Sequence, residues 1–110
     1  MNHEELLNNK LVSIFPIESD RERAREILKS YGLEKHEQES NRVRLAVLKL
    51  SGSEIAEVEK WTKYAKEDFR DILAWAEYPR QSKKWSMPDG PKRQILIEAD
   101  KQEYEQWLNT

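Results

Sequence analysis

The sequence predicts an all-α domain of about five helices packed around one long central helix over residues 52–78. The 110 residues include only three Gly and four Pro, which is too few for the many turns of a β-sandwich or barrel. Apolar residues make up 37% of the chain and charged residues 36%, and the apolar ones recur at helical spacing. We assign residues 1–110 to a single domain, because a chain of this length supports one modest core.

Two helices are predicted in the first third of the chain. Apolar residues at helical spacing predict the first helix over residues 3–15, which Pro16 ends. The segment 19–22 (SDRE) matches a capping box and predicts the start of the second helix, which continues to Tyr31. Gly32 is well placed to end this helix, because glycine adopts the left-handed conformation that commonly follows a helix.

Residues 42–50 are compatible with either a helix or a strand. A helical apolar stripe runs through them, but a short apolar run of this kind also fits a buried strand. We favour a helix buried on two sides, because a polar segment precedes the run and no glycine interrupts it before Gly52. The alternative is an α+β fold, in which short strands at 42–49 and 94–98 pair with each other.

The predicted central helix begins and ends at recognisable signals. Ser51 and Glu54 fit a capping box at its start, and Pro79 disfavours helical geometry at the residue before it. Roughly 25 residues at about 1.5 Å each make a rod close to ~40 Å long, which exceeds the ~30 Å width of a small domain. The other segments must therefore pack along this rod, or part of it must meet a partner.

The composition of the chain changes after this helix. Residues 79–93 contain three prolines and Gly90, which predict a loop that is long for a compact domain. The segment 100–103 (DKQE) repeats the capping pattern and predicts the start of a short terminal helix.

Five side chains on one flank of the predicted central helix form the leading candidate site. Trp61, Asp68 and Trp75 recur every seven residues and would stack along the rod, with Tyr64 and Asp71 beside them. Trp and Tyr combine a large apolar area with a polar end, and both are enriched at interaction hot spots. We therefore predict a protein-interaction surface, at which Asp68 could pair with a basic side chain of a partner or of a second copy. The alternative is that the two Trp extend the core.

The segment that follows is basic, whereas the rest of the chain is acidic. Residues 80–93 carry a net charge of +4, against −3 for residues 1–78 and −3 for residues 94–110. A Trp set among cations suits stacking on nucleic-acid bases, and contacts to phosphates would make binding depend on salt. Nucleic-acid binding is therefore the first alternative function, although the segment could instead fold back onto the acidic body. The residues that would bind are Arg80, Lys83, Lys84, Trp85, Lys92 and Arg93.

The sequence carries no recognisable motif for catalysis. It lacks Cys, an HExxH motif, a Gly-rich phosphate loop and a serine elbow. We therefore expect that the protein is not an enzyme and that it binds no cofactor and no metal. A second alternative is a carboxylate-based enzyme or metal site, which requires Asp68, Asp71 and His36 to converge. Because no signal peptide or membrane-spanning run is recognised, we expect a cytoplasmic protein with no membrane partner.

Two segments of the middle of the chain resemble a family of small uncharacterised bacterial proteins. They are residues 42–52 (RVRLAVLKLSG) and residues 65–79 (AKEDFRDILAWAEYP). The resemblance implies a bacterial, cytoplasmic origin and brings with it no activity, ligand or site residue.

Overall fold

The computed structural model describes residues 3–83 and 90–109, and all regular secondary structure in these ranges is helical. This confirms the predicted all-α class, and the strands considered at 42–49 and 94–98 are helical instead. No helix in the described ranges is both long and apolar enough to cross a bilayer. The helices are α1 (His3–Ile14), α2 (Glu18–Lys29), α3 (Ser40–Ser51), α4 (Ile55–Glu67), α5 (Phe69–Glu77), α6 (Pro79–Lys83) and α7 (Pro91–Leu108).

The centre of the fold is α3, not the predicted helix over residues 52–78. Helices α1, α4 and α5 all pack against α3. Its apolar side chains cover more than one side of the helix, so the preference for a helix buried on two sides is confirmed. The almost completely buried ones are Val43, Leu45, Ala46, Val47 and Leu48.

The predicted single helix over residues 52–78 is wrong, because the chain breaks at Asp68. The backbone of Asp68 is extended (φ −152°, ψ 93°), and its side chain accepts a hydrogen bond from the Arg70 amide at 3.1 Å. Asp68 therefore ends α4 and is the N-cap residue of α5, a position at which Asp is strongly preferred. A continuous helix would place residues 61 and 75 about 21 Å apart along its axis. The ring centroids of Trp61 and Trp75 are 5.9 Å apart, so α5 folds back on α4.

Helix α4 begins at Ile55, because the residues of the expected capping box have other roles. Ser51 is the last residue of α3, and its hydroxyl donates a hydrogen bond to the Val47 carbonyl at 2.6 Å. Glu54 precedes α4 without a side-chain capping bond. Gly52 has a φ of +62° and forms the tight turn between α3 and α4, which glycine does with little strain.

The predicted loop over residues 79–93 is also wrong, since a helix occupies each of its ends. Pro79 opens α6 and Pro91 opens α7. Proline is favoured in the first turn of a helix, because the amide that it lacks would have no intrahelical partner there. Asp100 consequently lies in the middle of α7 and does not begin a terminal helix. Residues 84–89 of the predicted loop lie outside the described residues.

Asp100 is fully buried and attaches α7 to the start of α6. Its carboxylate accepts hydrogen bonds from the amides of Arg80 and Gln81, both at 3.1 Å, and from their side chains at 3.1 and 3.2 Å. A carboxylate suits a helix start, where the amides lack intrahelical partners. Near the other end of α7, Lys10 of α1 donates a hydrogen bond to the Trp107 carbonyl at 2.6 Å. Polar contacts therefore hold α7 at its middle and near its end, and Lys49 of α3 adds a hydrogen bond to Glu103 at 3.2 Å.

Helices α1 and α2 form as predicted, with small shifts at their ends. Helix α2 begins at Glu18, ahead of the capping box expected at 19–22, and Ile17 before it makes no side-chain capping bond. Gly32 has a φ of +102°, and a Cβ added there would lie 2.9 Å from the Cβ of Ser40. This position therefore needs glycine, as the sequence predicts.

Candidate functional site

Four of the five side chains predicted to bind a partner lie together where α5 folds back on α4. The ring centroid of Trp75 lies 5.9 Å from that of Trp61 and 5.2 Å from that of Tyr64, which are themselves 6.2 Å apart. The Tyr64 hydroxyl donates a hydrogen bond to Asp71 Oδ2 at 3.2 Å. We call these four residues the aromatic corner. The break between the helices has replaced the expected stack along a rod by a compact cluster.

The fifth predicted residue, Asp68, does not stack between the two indoles. Its side chain is exposed and accepts the hydrogen bond from the Arg70 amide that caps α5. The seven-residue spacing of Trp61, Asp68 and Trp75 does not place them on one helical face, because that placement requires helical geometry at Asp68. The expected placement of Asp68 is therefore wrong, although the residue still contributes negative charge near the corner.

The corner is acidic around Tyr64. Partial burial, the hydrogen bond to Asp71 and the negative charges of Asp71, Asp68 and Glu67 raise the pKa of Tyr64. A tyrosine hydroxyl is protonated at neutral pH even with its ordinary pKa of about 10, so it can donate to Asp71. The Lys60 ammonium lies 4.6 Å from the centroid of the Trp61 ring, at the distance of a cation–π contact. The corner thus presents aromatic rings beside carboxylates.

Burial differs among the residues of the corner. Trp61 and Tyr64 are half-buried and pack against the hydrophobic core, so the core interpretation holds in part for these two. The Trp61 indole nitrogen is buried and has no hydrogen-bond partner among the described residues. Trp75 is 37% exposed. Trp75 is therefore the ring that the corner presents at the surface.

The residues of the nucleic-acid alternative are only partly described. Arg80 pairs with Asp100 at 3.1 Å and with Glu103 at 3.6 Å, so its guanidinium contributes to the junction between α6 and α7. Lys92 is exposed and Arg93 half-buried in the first turn of α7. The side chains of Lys83, Lys84 and Trp85 lie outside the described part of the chain. Nucleic-acid binding stays a prediction, and Arg80 already has two acidic partners.

The residues of the enzyme alternative are divided between two places. A cavity of about 360 Å³ is lined by His36 and Asp68, together with Lys66 and Arg70. Asp71 instead bonds Tyr64 in the aromatic corner. Across residues 3–83 and 90–109, no group of three or more His, Asp or Glu side chains could hold a metal ion. A catalytic role for these residues stays an untested alternative.

A second surface, which the sequence did not indicate, lies between α7 and the junction of α5 with α6. This groove has a volume of about 410 Å³. The hydroxyl of Tyr104 is buried and has no hydrogen-bond partner among the described residues. The available sequence signal was the spacing of Tyr104 and Leu108, which places both on one helical face. We call it the α7 groove, and its lining includes Tyr78, Gln81, Ile97, Lys101, Tyr104 and Leu108.

Comparison with known proteins gives no significant match to a family model, a curated protein or a solved structure.

Proposed function

We propose that this chain is a cytoplasmic protein-interaction module that docks a partner protein on its aromatic corner. The observation that carries the proposal is the exposed Trp75 ring, held against Trp61 and Tyr64 and set beside the Asp71 carboxylate. Trp and Tyr lead the residue types at interaction hot spots, because they offer a large contact area and lose few rotamers on binding.

The chemistry of the corner favours a partner with a basic side chain. An Arg guanidinium can stack on an aromatic ring and pair with a carboxylate at the same time, which matches Trp75 beside Asp71. The charges of Asp68 and Glu67 near Tyr64 would add attraction over a longer range. The three rings contact each other in the free chain, so little ordering of side chains is needed on binding.

The partner could also be a second copy of the chain, and light scattering over a range of protein concentrations distinguishes the two cases. A molar mass that rises with concentration for the wild type, but not for Trp75→Ala, would identify the partner as a second copy. A constant monomer mass would direct the search to other proteins.

The main experiment compares the wild type with variants of the aromatic corner. Protein partners are captured by cross-linking in the source cells and quantified by mass spectrometry. Trp75→Ala should lose a specific partner, and Asp71→Asn should weaken its capture and the salt dependence of that capture. Leu33→Ala is the matched control, because Leu33 is 77% exposed and lies outside the aromatic corner. The captured partner should then be tested with purified proteins, where the same order of variants is expected.

Stability measurements separate a binding role from a packing role. Truncation of a fully buried aromatic side chain lowers the free energy of unfolding by about 3–5 kcal/mol. Trp75→Ala should lower it by less than Trp61→Ala does, because Trp75 is exposed. The proposal is wrong if Trp75→Ala reaches that loss while partner capture and molar mass stay unchanged. Binding of DNA or RNA that weakens with salt, with no protein partner found, would favour the nucleic-acid alternative instead.

A further inference from the structure

A small polar cavity lies where α1, α2 and α3 meet. Its volume is about 90 Å³, against the roughly 10–15 Å³ that one water molecule needs and the roughly 300–1,000 Å³ of pockets for whole organic ligands. It therefore has room for one small polyatomic ion or functional group. Three basic side chains line it, Arg25, Lys29 and Arg44, against one acidic side chain, Glu4. We call it the α1–α3 cavity.

Arg44 is the half-buried cation of this cavity, and it has no carboxylate partner among residues 3–83 and 90–109. Its guanidinium donates hydrogen bonds to the main-chain carbonyls of Leu28 at 3.0 Å and Tyr31 at 2.6 Å, and to Asn41 Oδ1 at 3.2 Å. These acceptors are neutral, and the dipole at the end of α2 supplies only about half a negative charge. Burial consequently lowers the pKa of Arg44, and no carboxylate offsets the effect. Since desolvated charges in proteins are usually paired, Arg44 lacks a full counter-ion.

The other charges at the cavity leave a positive excess. Arg25 donates a hydrogen bond to Glu22, so its charge is already compensated on the surface of α2. Lys29 is exposed and forms no ion pair within the described part of the chain. Two positive side chains, Lys29 and Arg44, therefore lie beside one negative side chain, Glu4.

Hydrogen-bond donors also remain for an anion. A guanidinium has five N–H groups, and the hydrogen bonds of Arg44 to Leu28, Tyr31 and Asn41 leave two of them. Asn41 lines the cavity too, and because its carbonyl oxygen accepts from Arg44, its amide nitrogen remains a donor. Arg44 and Asn41 both keep accessible surface, so an ion from solvent can reach them.

We propose that the α1–α3 cavity binds a phosphate group, either as inorganic phosphate or as the head of a small phosphate monoester. Arg44 supplies the planar fork that suits phosphate oxygens, Lys29 adds a point charge, and the amides of Asn8 and Asn41 donate to the remaining oxygens. This site does not rest on the proposed protein interaction, because the aromatic corner belongs to α4 and α5 and shares no residue with the cavity.

The test titrates inorganic phosphate and methyl phosphate separately into the wild type, at an ionic strength held constant with sodium chloride, and follows amide chemical shifts. The shifts should saturate and should concentrate at the end of α2, the start of α3 and the facing turn of α1. Comparable affinities for the two probes mean that the cavity admits a phosphate monoester, whereas binding of inorganic phosphate alone identifies the free ion as the ligand. Both outcomes support the site.

Two charge variants with opposite expected effects test the position of the anion. Lys29→Gln should weaken phosphate binding roughly fivefold and Glu4→Gln should strengthen it roughly fivefold, as expected for one unit charge at about 4 Å in water. Arg23→Gln is the matched control, because Arg23 is an exposed cation of the same helix that does not line the cavity. It should change the affinity by no more than about twofold, since salt screens distant charges. All three side chains are exposed, so the variants should keep the wild-type melting temperature.

Arg44 also bonds the end of α2, so its replacement would change stability as well as binding, and the exposed variants therefore decide the question. The proposal is overturned if the shifts grow without saturation, or if they spread over basic side chains outside the cavity. It is also overturned if Arg23→Gln changes the affinity as much as Lys29→Gln does, or if Glu4→Gln fails to strengthen binding.

Discussion

Asp100 is the side chain on which the placement of α7 depends most directly. It is completely buried, and its hydrogen-bond donors within residues 3–83 and 90–109 are the amides and side chains of Arg80 and Gln81, which lie 20 and 19 residues earlier in the chain. The carboxylate meets the free amides at the start of α6, where the helix dipole also favours negative charge. A buried carboxylate is tolerated because four donors satisfy it.

Removal of this carboxylate should destabilise the protein. Asp100→Ala should lower the free energy of unfolding by about 2–4 kcal/mol, because it leaves the partly buried donors of Arg80 and Gln81 without their acceptor. Asp100→Asn keeps one acceptor oxygen and should lose less. Urea denaturation followed by Trp fluorescence measures both losses, with Glu98→Ala on the exposed side of α7 as the control, expected within about 0.5 kcal/mol of wild type. If Asp100→Ala falls no further than Glu98→Ala, the carboxylate does not hold the junction.

Single residues also show where sequence reasoning succeeds. The rings of Trp61, Tyr64 and Trp75 lie on one surface and contact each other, but the fold-back at Asp68 brings them together, not the continuous helix that the spacing predicts. The sequence correctly indicates that Asp100 bonds the amides at a helix start, but that helix is α6 and not the helix that contains Asp100. A side chain's chemistry is local, whereas the identity of its partner depends on packing between segments that are distant in sequence.

At the scale of elements, the break at Asp68 determines the shape of the aromatic corner. Neither Gly nor Pro marks this position, and a single Asp is tolerated within a helix. The apolar periodicity therefore predicts one helix that runs through residue 68. A signal was present, since Asp68 followed by Asp71 in the first turn of α5 resembles a helix start. Pro79 and Pro91 contribute to the predicted loop but each opens a helix, because a proline that disfavours helical geometry before it also suits the start of the next helix.

The break should persist without its cap, because tertiary packing holds both helices. Asp68→Ala should lower the free energy of unfolding by about 1 kcal/mol, the usual cost of losing a side-chain cap. Asp68→Asn retains the cap and should lie near the wild type. Backbone chemical shifts should show residue 68 outside helical geometry in all three proteins. Helical shifts running from residue 64 to residue 72 in Asp68→Ala would show that the capping bond alone produces the break.

For the molecule as a whole, the core around α3 and the α6–α7 region are built differently. The fully buried apolar side chains come from α1 to α5 and the turns between them, whereas α7 contributes the partly buried Trp107 and Leu108 and the completely buried Asp100. The apolar residues of α7 are distributed around the helix, so no single stripe indicated which face would pack. Composition and periodicity therefore predicted the all-α class and the buried α3. The α7 groove depends on docking through buried polar contacts, which have no periodic signature.

This difference predicts that α7 opens before the core does. Regions with few buried apolar contacts exchange their amide hydrogens through partial opening, whereas core helices exchange through global unfolding. Hydrogen exchange followed by mass spectrometry should therefore show α3 as the most protected segment and α7 as clearly less protected.

Lys10→Met tests this prediction, because it keeps much of the apolar stem and removes two contacts of the ammonium with Trp107. These are the hydrogen bond to its carbonyl at 2.6 Å and the cation–π contact at 4.4 Å from its ring centroid. Exchange in α7 should become at least roughly tenfold faster, as expected for the loss of a hydrogen bond from a charged donor, while exchange in α3 stays within a few-fold of wild type. Equal acceleration in both helices would mean that α7 unfolds only together with the core. In that case the polar contacts of Lys10 and Asp100 would belong to a single cooperative unit, and the α7 groove would exist only while the whole domain is folded.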